Sequence, residues 1–190
     1  MVIGLTGGIG SGKSTIAQQL RQNGYYVYDT DHEAKRIITD NQQVRKEIET
    51  LFGAEVYQDG IYQTSIVAER VFADRTLLER LNAIVHPAVR EDISSRLLKE
   101  KVKNDLFFIE CAILYQAGFN QLCDKVIGIS APESVRLERT IARDKSDIEK
   151  VLARMRAQDT EADQQRANIV ITNDGTISIP SICQLILETI

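Results

Sequence analysis

Five short runs of the chain are continuously apolar rather than alternating: Val2 to Thr6, Tyr26 to Tyr28, Leu106 to Glu110, Lys125 to Ile129 and Ile169 to Thr172. Continuous runs fit strands that are buried on both faces, as in a parallel sheet with helices on either side. Between the first two runs, Ser14 to Asn23 has a helical pattern and is stopped by Gly24, so the opening reads as strand, loop, helix, strand. The pattern predicts an α/β fold.

The gap between the second and third runs is far longer than a crossover requires, and it predicts a mostly helical insertion. Its expected pieces are Glu33 to Phe52, Ile66 to Phe72, Arg75 to Val85 and Pro87 to Val102, with a turn at Asp59-Gly60. A second insertion, Ser134 to Asp159, is dense in alternating charge, including Arg136, Arg139, Arg143, Asp144, Arg154 and Arg156. Such a run is ordinarily a solvated helix face. The expected organisation is a single domain over 1–190. Its core takes about 1–30, 105–133 and 160–190, and its insertions about 31–104 and 134–159.

Composition narrows the class. At 43% hydrophobic and 26% charged, with only 3 prolines, the 190 residues suit an ordinary globular fold that buries a sizeable core. A net charge of -4 supplies no broad field for nucleic acid or an anionic membrane, so neither is expected as a partner and any cationic site must be local. No apolar run approaches the roughly 18–20 residues that span a bilayer, and Met1-Val2-Ile3 lacks a basic lead-in, so a cytoplasmic protein is expected. Cys111, Cys123 and Cys183 are widely spaced without a C-x-x-C pair, which predicts buried thiols rather than a disulfide framework or zinc site.

The chemistry begins in GLTGGIGSGKST, residues 4 to 15. Gly7 through Ser14 match G-x-x-x-x-G-K-[ST], after a strand and before a helix as the pattern demands. Glycines let successive backbone N–H groups turn inward, and the following helix aims its positive end at the anion. Lys13 adds a mobile charge able to follow a transferring phosphoryl group, and the Ser14 hydroxyl suits Mg²⁺ held on phosphate oxygens. The expected ligand is a nucleoside triphosphate with Mg²⁺. Its binding set is Gly8, Gly10, Ser11, Gly12, Lys13, Ser14 and Thr15.

A phosphate loop alone does not separate a kinase from a hydrolysing switch. The second strand ends VYDTDHE, and strand alternation would put Asp29 and Asp31 together beyond its carboxyl end, where open α/β sheets bind ligands. One of these carboxylates could accept a proton from an attacking hydroxyl; equally, Asp31 could simply cap a helix starting at Glu33. Arg139 and Arg143 are four apart and share a helix face. No guanine-specifying N-K-x-D is evident, which weighs against a switch.

The segments GLTGGIGSGKST, YDTDHEAKRI, LERLNAIVHPAVR, IARDKSDIEKVLARMRAQ and NIVITNDG follow one another in an order and spacing that resembles the dephospho-CoA kinase family, over nearly the whole chain. The resemblance implies a three-layer phosphate-loop kinase fold with a five-stranded parallel sheet, a helical substrate-binding insertion and a helical lid. It implies transfer of the ATP γ-phosphate to the ribose 3′-hydroxyl of dephospho-CoA, the last step of coenzyme A synthesis. Asp31 becomes the catalytic base, with Asp29 supporting it at the acceptor or holding a water on the metal. His86, at the His-Pro position, becomes an acceptor-binding residue, although a His before Pro also suits a plain structural role. The charged insertion becomes the lid, with Arg143 and Arg139 over the migrating phosphoryl group and Arg154 and Gln158 in register. Asn173 becomes an adenine contact, or else part of an Asx-type turn. Another small-molecule or nucleoside kinase of the same fold is the alternative, and a monomer or small homo-oligomer is expected.

Departures from the family pattern are visible. The third strand ends Glu110-Cys111-Ala112-Ile113-Leu114-Tyr115-Gln116, where the family commonly has D-V-P-L-L-F-E. Glu110 keeps an acid able to hold Mg²⁺ through water, whereas Gln116 loses a carboxylate. After Asp59-Gly60 the family usually carries an arginine, and this chain has Thr64 nearby instead; Asn168 replaces the aspartate of RAD.

Overall fold

The computed structural model describes residues 1–100, 105–158 and 165–190, and forms two compact units. One comprises Met1–Tyr28 with Glu100–Ile190; the other is Asp29–Lys99.

The first unit is built on a five-stranded parallel sheet in the order β2-β5-β1-β6-β7. The strands are β1 (Val2–Gly7), β2 (Tyr26–Asp29), β5 (Phe107–Glu110), β6 (Lys125–Ser130) and β7 (Ile169–Thr172). All five predicted runs are strands, displaced by a residue at some ends. Every residue of β1 is buried, as a central strand covered on both faces requires. On one face, Ile16, Ala17 and Leu20 of α1 (Lys13–Gln22) join Ile182, Cys183 and Ile186 of α8 (Ile179–Thr189) against Ile3, Leu5, Ile127 and Ile129. Each large aliphatic buried there contributes roughly 1.5–3 kcal/mol by transfer from water.

The sheet edge is tied at matching points. Val2 N donates to Asp124 Oδ2 and Asp124 N to the Val2 carbonyl (2.7 and 2.8 Å), just before β6. Val126 N donates to Asn168 Oδ1 and Asn168 N to the Val126 carbonyl (2.7 and 2.9 Å), just before β7. Asn168 therefore keeps the acceptor that an aspartate would supply there, and its departure from the family pattern is structurally mild. Cys111 and Cys183 are buried and Cys123 half-buried, where burial pushes its thiol up to about 12.

The charged insertion belongs to this unit and forms α6 (Glu133–Asp144) and α7 (Ile148–Ala157). Its Asp159 end, and the Lys101-Val102 end of the earlier helical expectation, lie outside the described residues.

The second unit contains α2 (Thr30–Asp40), α3 (Gln42–Phe52), the short hairpin β3 (Tyr57–Gln58) and β4 (Ile61–Tyr62), α4 (Thr64–Ala73) and α5 (Arg75–Glu100, its last residue in the first unit). The hairpin turns at Asp59-Gly60, both at positive φ, which is the two-residue turn that matches strand twist. Two expectations fail in informative ways. Glu33 to Phe52 is two helices, because Asn41 takes extended backbone and its side chain accepts from Gln43 N and Val44 N, capping α3. Arg75 to Val102 was expected in two pieces divided at Pro87, yet α5 runs through the proline. Proline forfeits one intrahelical bond, but Val85, Val89 and Ile93 lie one turn apart on either side of it and are all buried.

Candidate active site

The phosphate loop leaves the sheet from β1, with β5 on one side and β6 on the other, at the point where successive connections diverge. Gly12 occupies the N-cap of α1 at φ 89°, with no side-chain cap and no acidic residue in the first turn. The first-turn amides of any helix lack intrahelical acceptors, so this end is a positively polarised row of donors. A Cβ at Gly12 would collide with the Asn173 amide nitrogen, and one at Gly10 (φ 79°) with the Arg136 carbonyl, so both backbone conformation and close approach require glycine. Ser11 N donates to the Gly8 carbonyl (3.1 Å), closing the loop on itself. The Ser11 hydroxyl is buried and has no hydrogen-bond partner among the described residues, an orphan that an anionic ligand's oxygens would satisfy.

Lys13 and Ser14 converge on one acid. Lys13 Nζ donates to Glu110 Oε1 at 2.8 Å, and Ser14 Oγ donates to the same oxygen at 2.7 Å. The Lys13 and Glu110 side chains are only 9% and 5% exposed, so the pair is shielded from water and from salt screening. The β1–β5 register, Leu5 opposite Glu110, puts the end of β5 beside the loop. Ser14 Oγ and Glu110 Oε1 are hard oxygens in contact at the anion-binding end of a helix. That is a donor set which suits Mg²⁺ held chiefly by substrate phosphates.

Side chains from α6, from the residue after α7 and from the residue after β7 also reach the loop. Arg136 Nε donates to the Ile9 carbonyl (3.0 Å), while Ile9 N donates to Gln158 Oε1 (2.9 Å) and Gln158 Nε2 to the Ala112 carbonyl (3.3 Å). Asn173 is buried; its Nδ2 donates to the Ser11 carbonyl (2.8 Å), and its own carbonyl accepts from Arg139 Nη1 (2.9 Å). That amide nitrogen is committed to the loop backbone, which leaves its side-chain oxygen for any base contact. Arg139 and Arg143 were expected to act together. The structure brings Arg139 to the loop, whereas Arg143 pairs through Nε and Nη2 with Asp144 and is 61% exposed. Arg154 reaches the same carboxylate (2.7 Å), and hydrogen bonds from the two guanidiniums hold Asp144 far below the usual carboxylate range. Sequence reasoning missed Arg136, which it saw only as one charge among many.

In the second unit, β2 ends at Asp29 and α2 begins at Thr30, so Asp29 and Asp31 do not alternate along one strand as expected. Asp29 is the cap, its Oδ1 accepting from His32 N (2.9 Å). That corrects the alternative in which Asp31 capped the helix: Asp31 lies in the first turn and is exposed. His86 is half-buried in α5, and burial pushes its pKa below the ordinary value. The sequence reading did not foresee the charge lattice between α2 and α5. Arg36 bonds Glu33 and Asp92 (2.6 and 2.9 Å), while Arg96 approaches both acids (4.0 and 3.9 Å). The i,i+3 and i,i+4 spacings within it were visible; its cross-helix half was not. Thr64 opens α4, and Thr64 and Gln116 are both exposed.

The family model described as dephospho-CoA kinase matches residues 1–178. A dephospho-CoA kinase of Porphyromonas gingivalis is 38% identical over 193 aligned residues, covering 100% of this chain and 94% of its own length. Among solved structures, a Thermus thermophilus protein aligns at TM-score 0.84 with 34% identity, covering 100% of this chain and 97% of its own. Dephospho-CoA kinase from Campylobacter jejuni aligns at TM-score 0.72 with 25% identity, covering 98% and 95%. With its phosphate loop, parallel sheet and strand-end acid arranged as described, and with similarity spanning nearly its whole length, the chain belongs to the dephospho-CoA kinase family.

Proposed function

We propose that this protein transfers the γ-phosphate of ATP to the ribose 3′-hydroxyl of dephospho-CoA, giving coenzyme A and ADP. The observation that carries the reading is the convergence of Lys13 and Ser14 on Glu110 at the uncapped start of α1. It supplies a mobile cation, a hydroxyl and an acid around one row of backbone donors, as phosphoryl transfer requires.

The triphosphate lies along the amides of Gly8 to Thr15, and Lys13 exchanges Glu110 for phosphate oxygens as it binds. Ser14 Oγ, and Glu110 through water, would be the residues to hold Mg²⁺ there. When bound, the metal neutralises charge on the β and γ oxygens. Arg139, already turned to the loop, stabilises charge spreading over the transferring group; Arg143 joins it if it leaves Asp144. Asn173 offers its side-chain oxygen to the adenine. Asp31 accepts the proton of the 3′-hydroxyl, with Asp29 and His86 contacting the acceptor. The unit Asp29–Lys99 serves as acceptor-binding insertion, and α6 and α7 as the lid that excludes water during transfer.

No helix among the described residues is long and apolar enough to cross a membrane. The working setting is the cytoplasm, with small molecules as partners and a monomer or small homo-oligomer as the active form. The test is incubation with Mg-ATP and dephospho-CoA, read by mass. Coenzyme A and ADP in equal amounts are expected; ADP without coenzyme A, or no turnover, would overturn the reading.

A further inference from the structure

Among the described residues, Ile9 has both of its backbone groups taken by side chains from the charged insertion. Its carbonyl accepts from Arg136 Nε of α6 at 3.0 Å, and its N–H donates to Gln158 Oε1, just past α7, at 2.9 Å. None of the peptide bonds described is cis, and across a planar trans peptide the C=O and the following N–H point in opposite directions. Each bond therefore fixes the far end of a peptide plane. Gln158 on the Ile9 N–H turns the Gly8 carbonyl the other way, where it accepts from Ser11 N at 3.1 Å. Arg136 on the Ile9 carbonyl turns the Gly10 N–H away from α6. Gln158 also donates to the Ala112 carbonyl at 3.3 Å, two residues beyond Glu110. One amide thus ties the phosphate loop to the strand end that bears the acid.

From this geometry we infer that Arg136 and Gln158 are positioning residues for the nucleotide. By holding Ile9 from both sides they set which loop amides face the triphosphate, and they make the shape of the cradle depend on the placement of the lid helices. Neither needs to touch the reacting atoms. Gly10 is the complementary half of the arrangement, because any side chain there would strike the Arg136 carbonyl and the Thr140 hydroxyl and lift α6 from the loop. The inference rests on the reading of this loop as an ATP site.

The experiment compares wild type, Arg136→Met, Arg136→Lys, Gln158→Leu and the Met/Leu double variant. Mg-ATP binding is measured by calorimetry without acceptor, KM for each substrate by kinetics, and Tm by scanning. Gln158→Leu should weaken ATP roughly 5–10-fold, and Arg136→Met roughly 10–100-fold, the scale of losing one neutral or one charge-assisted hydrogen bond. KM for dephospho-CoA should hold, and Arg136→Lys, which keeps a donor, should recover most of the loss. The double variant should lose less than the product of the singles, since both act through one residue. Single variants that bind ATP as wild type does, or KM values for both substrates rising together in step with a fall in Tm, would overturn the inference. If Arg136→Met does not fold, Gln158→Leu and Arg136→Lys still decide it. Wild type failing to bind Mg-ATP at all would instead remove the proposed function.

Discussion

The phosphate loop and the residues proposed for the acceptor are built in opposite ways. Around residues 8 to 14, atoms arrive from β5, α6, the end of α7 and the segment after β7, and they bind backbone or bury charge: Glu110, Arg136, Gln158 and Asn173. Asp29, Asp31 and His86 instead ride on two helices, α2 and α5, joined by a lattice of partly exposed charges among Glu33, Arg36, Asp92 and Arg96. Partly exposed ion pairs contribute little each, about 0–1 kcal/mol, whereas the loop inherits the rigidity of a close-packed sheet. The loop proposed to hold the triphosphate is thus fixed by core packing, whereas the residues proposed for the acceptor sit on elements tied by weaker, partly exposed pairs.

The largest test of that contrast is Lys13→Ala. It should lower kcat/KM roughly 10³–10⁵-fold, the range for removing a cation from a transferring phosphoryl group, and it should also weaken ATP binding, because the same charge serves ground and transition states. A retained rate would detach the loop from the chemistry. Asp31→Asn should act on one side only. Turnover should fall roughly 10²–10⁴-fold with ATP affinity nearly intact, as for loss of a general base; equal damage to ATP binding would erase the distinction between the regions. The smallest effect concerns His86. Burial lowers its folded pKa below the unfolded value, so folding disfavours its protonation, and the unfolded chain takes up the extra proton first. Stability is therefore full above about 6.5, the ordinary His value, and declines as pH falls from there towards the folded pKa. Melting curves at pH 7.5 and 5.5 should show wild type losing more than His86→Gln.

Much of the donor site was legible because it is local. Gly7 through Ser14 lie in one stretch, and the strand and helix flanking them announce themselves by continuous burial and by a glycine stop. The region proposed for the acceptor was less legible. Asp29 and Asp31 were read as strand neighbours, but the helix starts at Thr30 and uses Asp29 as its cap, a choice between two acceptable Asp caps that spacing cannot make. Pro87 looked like a boundary, and only the burial of Val85, Val89 and Ile93 together explains why α5 continues. Arg139 and Arg143 share a face by periodicity, yet Asp144 takes one and the Asn173 carbonyl the other.

By itself the sequence determined the strands, the anion cradle and the neighbours Lys13 and Ser14, because hydrophobic period and backbone permissiveness act within about ten residues. Tertiary structure alone decided what surrounds them. Insertion of β5 between β1 and β2 carries Glu110 across 97 residues to Lys13, while Gln158 and Asn173 reach the loop across 149 and 162. Such partners are chosen by how a whole sheet and its covering helices pack, and no local pattern records that.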